Sequence, residues 1–392
     1  MMRPVTFRAA AVWILAVGLV AGPARALVTL NDGTDKIYVS GTFSMGYDSN
    51  INASAAATAD TTTSATMQLE YQRRAGLIGV NADVSFAVNR FVKNTTYDTL
   101  NPTYSLELDK GTGRTTGTLN LSATRSSQTD ASVNLYTTDW NYSASLNVHY
   151  PVIDRYSLAG TFSYGYLDYT EKGGQPLDDL STYSSSLSLF YILSDERDLF
   201  ATYRYRYEQS SSDTSTIDNA LSLGVHGKVF WEINGSLSAG YQVREPEGIA
   251  STTAAPETSD SAFTANASVS WNANRRLSFT ASLSKDFETT ATDATTDTTA
   301  STLDVNYAYN ASLSAAAGVG AGENDFLGVG GLIAGTDEDR RDYYFTSNAS
   351  VNYTFTERLH VSLAYVFFRN WSNLGFASFT RDTLTLSLSS RW

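Results

Sequence analysis

The chain has 392 residues, no cysteine, and a formal charge of −13 from 40 acidic and 27 basic side chains. That balance argues against a nucleic-acid partner, and the missing Cys excludes disulfides, thiolate metal sites and a Cys nucleophile. Ser and Thr number 47 each beside 24 Tyr and only 7 Pro, a mixture suited to pleated, half-wet surfaces rather than helices.

Residues 1–26 read as an address. Arg3 and Arg8 precede the apolar run Ala9–Gly22, and Pro23-Ala24-Arg25-Ala26 supplies an A-x-A site, so cleavage is expected after Ala26. The run is shorter than the ~20 residues of a spanning helix. With no Cys at the cleavage point, a lipoprotein is not expected. Residues 27–36 then form a short periplasmic segment, too small for a plug or a peptidoglycan-binding module, and 37–392 form one further unit.

From residue 37 onward, polar and apolar residues alternate with period two, which marks strands with one face of each kind. Eighteen segments fit this pattern: 37–51, 63–73, 77–90, 99–109, 114–125, 134–150, 155–169, 181–194, 198–210, 216–230, 235–245, 259–272, 276–288, 299–309, 312–322, 341–355, 359–371 and 379–392. Most are longer than strands of soluble proteins and long enough for a tilted membrane crossing of ~9–11 residues. Connections after even segments are short, such as 151–154 and 356–358. Those after odd segments are longer, such as 52–62, 170–180, 289–298 and 323–340. Short turns at one rim and long loops at the other predict an all-β, transmembrane, antiparallel up-and-down barrel of about 18 strands, with 16 the alternative.

The faces indicate which side is wet. Along 199–208, Leu199, Ala201, Tyr203, Tyr205 and Tyr207 alternate with Phe200, Thr202, Arg204, Arg206 and Glu208. The second face is too charged for a soluble sandwich core, so water inside and lipid outside fit better. Aromatic residues gather near the strand ends, with Trp140, Tyr150, Trp231, Trp271 and Trp371 forming two girdles at headgroup depth.

The candidate pore-lining charges are Glu70, Asp83, Glu107, Asp109, Arg204, Arg206, Lys228, Arg244 and Asp304. Acids early in the chain and bases on segments 9 to 11 suggest opposed walls and a transverse field, the kind of arrangement that sets pore selectivity. The alternative is a hydrated wall whose charges pair with their neighbours. Loop 323–340 holds the apolar, Gly-rich stretch Phe326–Ala334, which could fold inward, cap the mouth or prolong its hairpin. It is no phosphate cradle, since no Lys-Ser/Thr follows. His149, His226 and His360 lie apart with no Ser/His/acid cluster, so neither enzyme activity nor a cofactor or metal is expected. Acidic loop tips such as Asp337-Glu338-Asp339 could bridge cations to lipopolysaccharide phosphates.

The chain ends Leu384-Thr-Leu-Ser-Leu-Ser-Ser-Arg-Trp392, which resembles the C-terminal signal of Gram-negative outer-membrane β-barrels. The resemblance implies that Leu386, Leu388 and Trp392 are read by the barrel-assembly machinery through strand addition. Near the other end, Tyr47-Asp48-Ser49-Asn50-Ile51-Asn52 resembles the opening strand of the β-barrel porins (type 2) associated with exopolysaccharide secretion. Together these imply a porin-like aqueous channel in the outer membrane, among lipid and lipopolysaccharide, passing small hydrophilic solutes. A polysaccharide exit pore is the alternative.

Overall fold

Alternation commits each segment to extended backbone, because only a strand puts successive side chains on opposite faces. A computed structural model describes residues 26–171, 177–247, 259–327 and 339–392. It opens with a short strand β1 (Val28–Leu30) and a 3-10 turn (Asn31–Gly33). The next strands are β2 (Asp35–Asp48), β3 (Asp60–Arg73), β4 (Gly79–Phe91), β5 (Thr99–Lys110), β6 (Thr116–Asp130) and β7 (Leu135–Ile153). Then come β8 (Tyr156–Glu171), β9 (Leu180–Ser194), β10 (Arg197–Ser210), β11 (Ser215–Phe230), β12 (Ile233–Glu247) and β13 (Asp260–Asn272). The last are β14 (Leu277–Thr289), β15 (Thr295–Ala308), β16 (Leu313–Leu327), β17 (Arg341–Thr356), β18 (Leu359–Ser372) and β19 (Phe379–Arg391).

Each strand from β2 onward pairs antiparallel with the next, and β19 returns to β2, closing a ring of 18 strands. The shortest of them, β5, has 12 residues. At ~3.3 Å per residue and ~40° tilt such a strand rises ~30 Å, enough for an apolar band of ~25 Å. Among the described residues no helix is long and apolar enough to cross a membrane. The closing seam runs from Thr383 opposite Asp48 to Arg391 opposite Ser40. Val39 and Trp392 then exchange two backbone hydrogen bonds of 2.8 Å. β1 folds back onto Asp35–Ile37, giving the stretch expected as a bare segment a strand pairing of its own.

The expected segments are all present, but several strands outrun them. β6 continues to Asp130 and β7 to Ile153, while β15 begins at Thr295 and β16 ends at Leu327. The loop expected over 289–298 therefore shrinks to 290–294. The apolar face ends where lipid ends, whereas backbone N–H and C=O groups go on pairing beyond it. Phe326, expected in a loop, lies in β16 and is buried. The rest of that loop, 328–338, lies outside the described residues, as does the leader apart from Ala26.

Short turns join the strands at the rim that carries both described ends, and the longer loops gather at the other. Large apolar side chains stand on the outer face, as Met67 (63 % exposed) and Leu223 (66 %) show. Such exposure suits lipid, not water. The buried residues collect instead inside the ring near the loop rim, among them Ile51, Ala53, Val133, Tyr169, Leu177 and Phe287.

Candidate functional site

The register carries one set of polar positions round the inner wall. Ser64 stands opposite Asn89, Ser122 opposite Ser143, Ser188 opposite Thr202 and Ser282 opposite Thr302. Each of these pairs is joined by a side-chain hydrogen bond of 2.6–2.7 Å. Neutral hydroxyls and amides thus make most of the lining, with charges set into it at intervals.

The densest charges lie on β10, β11 and β12. Arg206 and Arg244 flank Asp218 in register, since β11 runs between their strands. Arg206 Nε donates to Asp218 Oδ2 at 2.5 Å, and Arg244 Nη2 bonds both Glu208 and Thr216 Oγ1. Arg204 forks onto Asp286, at 2.5 Å to Oδ2 and 2.8 Å to Oδ1, and also donates to Gln242. Three guanidinium groups meet three carboxylates here, and Arg244 and Asp218 are almost wholly buried. The group is neutral as a whole, which is how such burial is tolerated.

Asp286 belongs to β14, four strands from β10, and reaches it because β14 leaves the wall. The ladder between β13 and β14 stops at Ala265–Lys285, although β13 stays paired with β12 up to Asp260. The upper part of the β14–β15 hairpin leans inward as a result. Arg206 Nη2 donates to the Phe287 carbonyl at 2.7 Å, and Arg244 to Thr289 Oγ1 at 2.6 Å. Thr289 in turn donates to Glu208 at 2.6 Å. At the tip, Asp293 accepts from Ser212 and Thr214 of the β10–β11 loop.

The tip then crosses the lumen. Ala291 packs with Val133, Tyr169 and Leu177, which come from β6–β9 on the far side. Its carbonyl accepts from Asp178 N–H at 2.7 Å. Other loops join the crossing. Asn134 Nδ2 donates to the Ala53 carbonyl and Thr129 Oγ1 to that of Ile51. Arg340, just before β17, reaches the Ser132 carbonyl at 2.6 Å and covers Phe326, its guanidinium 4.4 Å from the ring centre. The outer half of the lumen is therefore narrowed by infolded loop tips with a small apolar hub, while hydroxyls line the half nearer the short turns.

The structure places the remaining charges expected in the lining as follows. Glu70 faces the lumen and pairs with Arg391 at 2.6 Å. Asp83 accepts from Gln68 at 2.9 Å and Ser105 at 3.3 Å, and Glu107 from Asn81 at 3.0 Å. Asp109 stands at the turn end of β5, and Asp304 on β15 lies over Gly318, where a Cβ would come within 2.2 Å of its carboxylate. Lys228 parts from the other bases. It sits at the turn end of β11 and pairs with Glu196 at 2.9 Å. Acids of β3–β5 and arginines of β10–β12 do occupy opposite sides of the ring, but the arginines arrive already neutralised.

On the outer face, Trp140 stacks on Tyr142 and Trp271 on Phe279. Trp231 stacks on Phe230 in a turn, and Trp371 and Tyr150 lie under Arg369 and Arg114. Leu386 and Leu388 also face outward, and Arg358 covers the Trp392 ring at 4.3 Å.

Sequence reading missed Asp218 as a partner, although Arg206 and Asp218 stand equally far from the β10–β11 turn and must therefore meet. The inward lean of β14 has no such signal.

Residues 231–391 match the family described as "Putative beta-barrel porin 2". Among solved structures, the outer membrane protein OpdK of Pseudomonas aeruginosa is similar at a TM-score of 0.50 and 11 % identity, covering 91 % of this chain and 99 % of its own. OccK9 (OpdG) of the same organism gives 0.50 at 14 % identity, covering 91 % and 98 %. These two likenesses establish the fold. No curated protein sequence matches the chain. Nothing in the family match or the neighbours specifically favours polysaccharide export.

Proposed function

We propose that this chain, a porin-like outer-membrane β-barrel, is a narrowed, cation-preferring channel for small hydrophilic solutes. One observation carries the reading: among the described residues, the lumen-facing arginines of the strands are ion-paired, whereas Asp83 and Glu107 on the same wall are not, and the unpaired Lys36 lies only at the short-turn rim. Arg204, Arg206, Arg244, Arg381 and Arg391 face the lumen, and all five sit in ion pairs. Asp83 and Glu107 are held by neutral donors only. A cation in the water column meets an attractive wall there, and an anion meets paired arginines on the described strands. Passage needs no catalytic step. The same reading has the leader cut after Ala26, which sequencing the N-terminus of the mature barrel would check.

Refolded residues 27–392 in a planar bilayer should give ohmic steps, with a reversal potential in a KCl gradient showing preference for K⁺. The double variant Asp83→Asn/Glu107→Gln should lower that preference at nearly unchanged conductance. Anion preference, or silence from a barrel that circular dichroism shows to be folded, would overturn the proposal.

A further inference from the structure

A cavity of about 470 Å³ opens on the inner wall of β6–β8, just below the apolar hub. Its lining includes Ser126, Gln128, Asp130, Asp139, Leu167 and Tyr169. Asp139 differs from the other lumenal acids. It is only 5 % exposed, yet among the described residues neither a hydrogen bond nor an ion pair reaches its carboxylate, which the cavity takes into its lining. Glu208 and Asp218, equally buried, are each matched by arginine. Alternation aims Asp139 there, on the inner face of β7 with Asn141 and Ser143 and in unbroken register with β6. The β7–β8 register shifts between Thr138 and Asp139, so that Glu171 faces Thr138 but Tyr169 faces Asp139. Thr170 is the extra residue, its hydroxyl donating to the Thr138 carbonyl at 3.2 Å. The bulge thus falls on β8, above the cavity, and leaves the facing of Asp139 on β7 unchanged.

A desolvated carboxylate without a donor calls for a cation. Asp130, in the same cavity, accepts on Oδ1 alone, from the N–H and hydroxyl of Ser132 at 2.8 and 2.7 Å. Leu167 and Tyr169 offer an apolar edge and an aromatic ring beside the two acids, and the remaining lining is hydroxyl and amide. Ring faces also attract cations. We infer that this cavity is a binding site for a hydrophilic solute carrying a protonated amine on a short aliphatic arm. The ammonium sits on Asp139, with Asp130 four ladder positions along adding attraction across the cavity, its methylenes lie along Leu167 and Tyr169, and polar groups of the solute meet the Ser/Thr wall. The inference rests on the channel reading and names the solute class it would favour.

The test uses the refolded barrel in detergent, titrated by calorimetry with 5-aminopentan-1-ol and, as the uncharged counterpart, 1,5-pentanediol. The amine should bind one per barrel and the diol should not. Asp139→Asn, nearly isosteric, should weaken amine binding by about tenfold or more, as loss of a charge-assisted hydrogen bond does. Asp130→Asn should weaken it less, and it serves as the test should the first variant not fold. No heat from the amine, or equal binding by a folded Asp139→Asn barrel, would overturn the site. Channel and site fail separately. A barrel that binds the amine but is silent in a bilayer would sink the channel, and one that conducts without binding would sink only the site.

Discussion

Arg244→Met should raise single-channel conductance several-fold and sharpen the preference for cations. Arg244 is 2 % exposed and ties Glu208 on β10 and Thr289 on the leaning hairpin to β12. Removing one partner from a buried pair costs about 3–5 kcal/mol, because the remaining charge stays desolvated. The structure offers a way to relieve that cost. If the β14–β15 tip moves out of the lumen, water reaches Glu208 and Asp218, and global stability falls by less than this figure. The movement widens the narrowest part of the pathway. Three carboxylates then face two guanidinium groups, which accounts for the gain in cation preference. Arg381→Met is the comparison, since Arg381 pairs with Asp48 at the seam and makes no bond to the β14–β15 hairpin among the described residues. Bilayer recording of both variants decides. Wild-type conductance from a folded Arg244→Met barrel would show that the tip does not limit the current.

The second large effect is a contrast between two neighbouring residues of β19. Leu386 faces outward and is 52 % exposed, whereas Thr385 faces the lumen opposite Gly46. Arginine on the lipid face costs about 2–4 kcal/mol near the midplane, and a lumenal position avoids that penalty. Leu386→Arg should therefore lower the urea midpoint of the refolded barrel clearly, and Thr385→Arg should leave it near wild type. Heat-modifiable migration on a gel reports whether each ring has closed. Equal losses from the two would contradict the assignment of faces.

What could be read from the sequence divides along a physical line. Strand number and facing depend on the period-two pattern, and each strand carries its own copy of it, as in Leu384, Leu386 and Leu388 against Thr385 and Ser387. The rims followed from turn lengths, which are equally local. Strand ends were less legible because Thr and Asp above the membrane, as in Thr295–Thr298, pair their backbones without an apolar face to mark them. The crossing of the lumen was not legible at all. Ala291 meets Val133 and Leu177 because three loops happen to fold to one place, and no periodicity links residues so distant in sequence. Of the apolar stretch in 323–340, one candidate for a constriction, Phe326 lies buried under Arg340 and 328–338 lies outside the described residues, so the described narrowing draws on other loops as well. Ala53 and Ala291 are buried through where their loops go, not through their own hydrophobicity.

The parting of β13 and β14 above Lys285 has a consequence for how the wall breathes. Between Asp260 and Thr264, β13 keeps β12 on one side and loses the β14 ladder on the other. A fully paired barrel has no such edge, and here Thr99–Pro102 of β5, paired with β4 but not β6, form another. Backbone amides that point toward the missing ladder should take up deuterium within the fastest class of the wall. Those of Ala265–Asn272, held from both sides a few residues farther along the same strand, should be among the slowest. A single strand would thus hold both extremes of protection, and the step between them would mark the height at which the hairpin turns away from the membrane wall into the water.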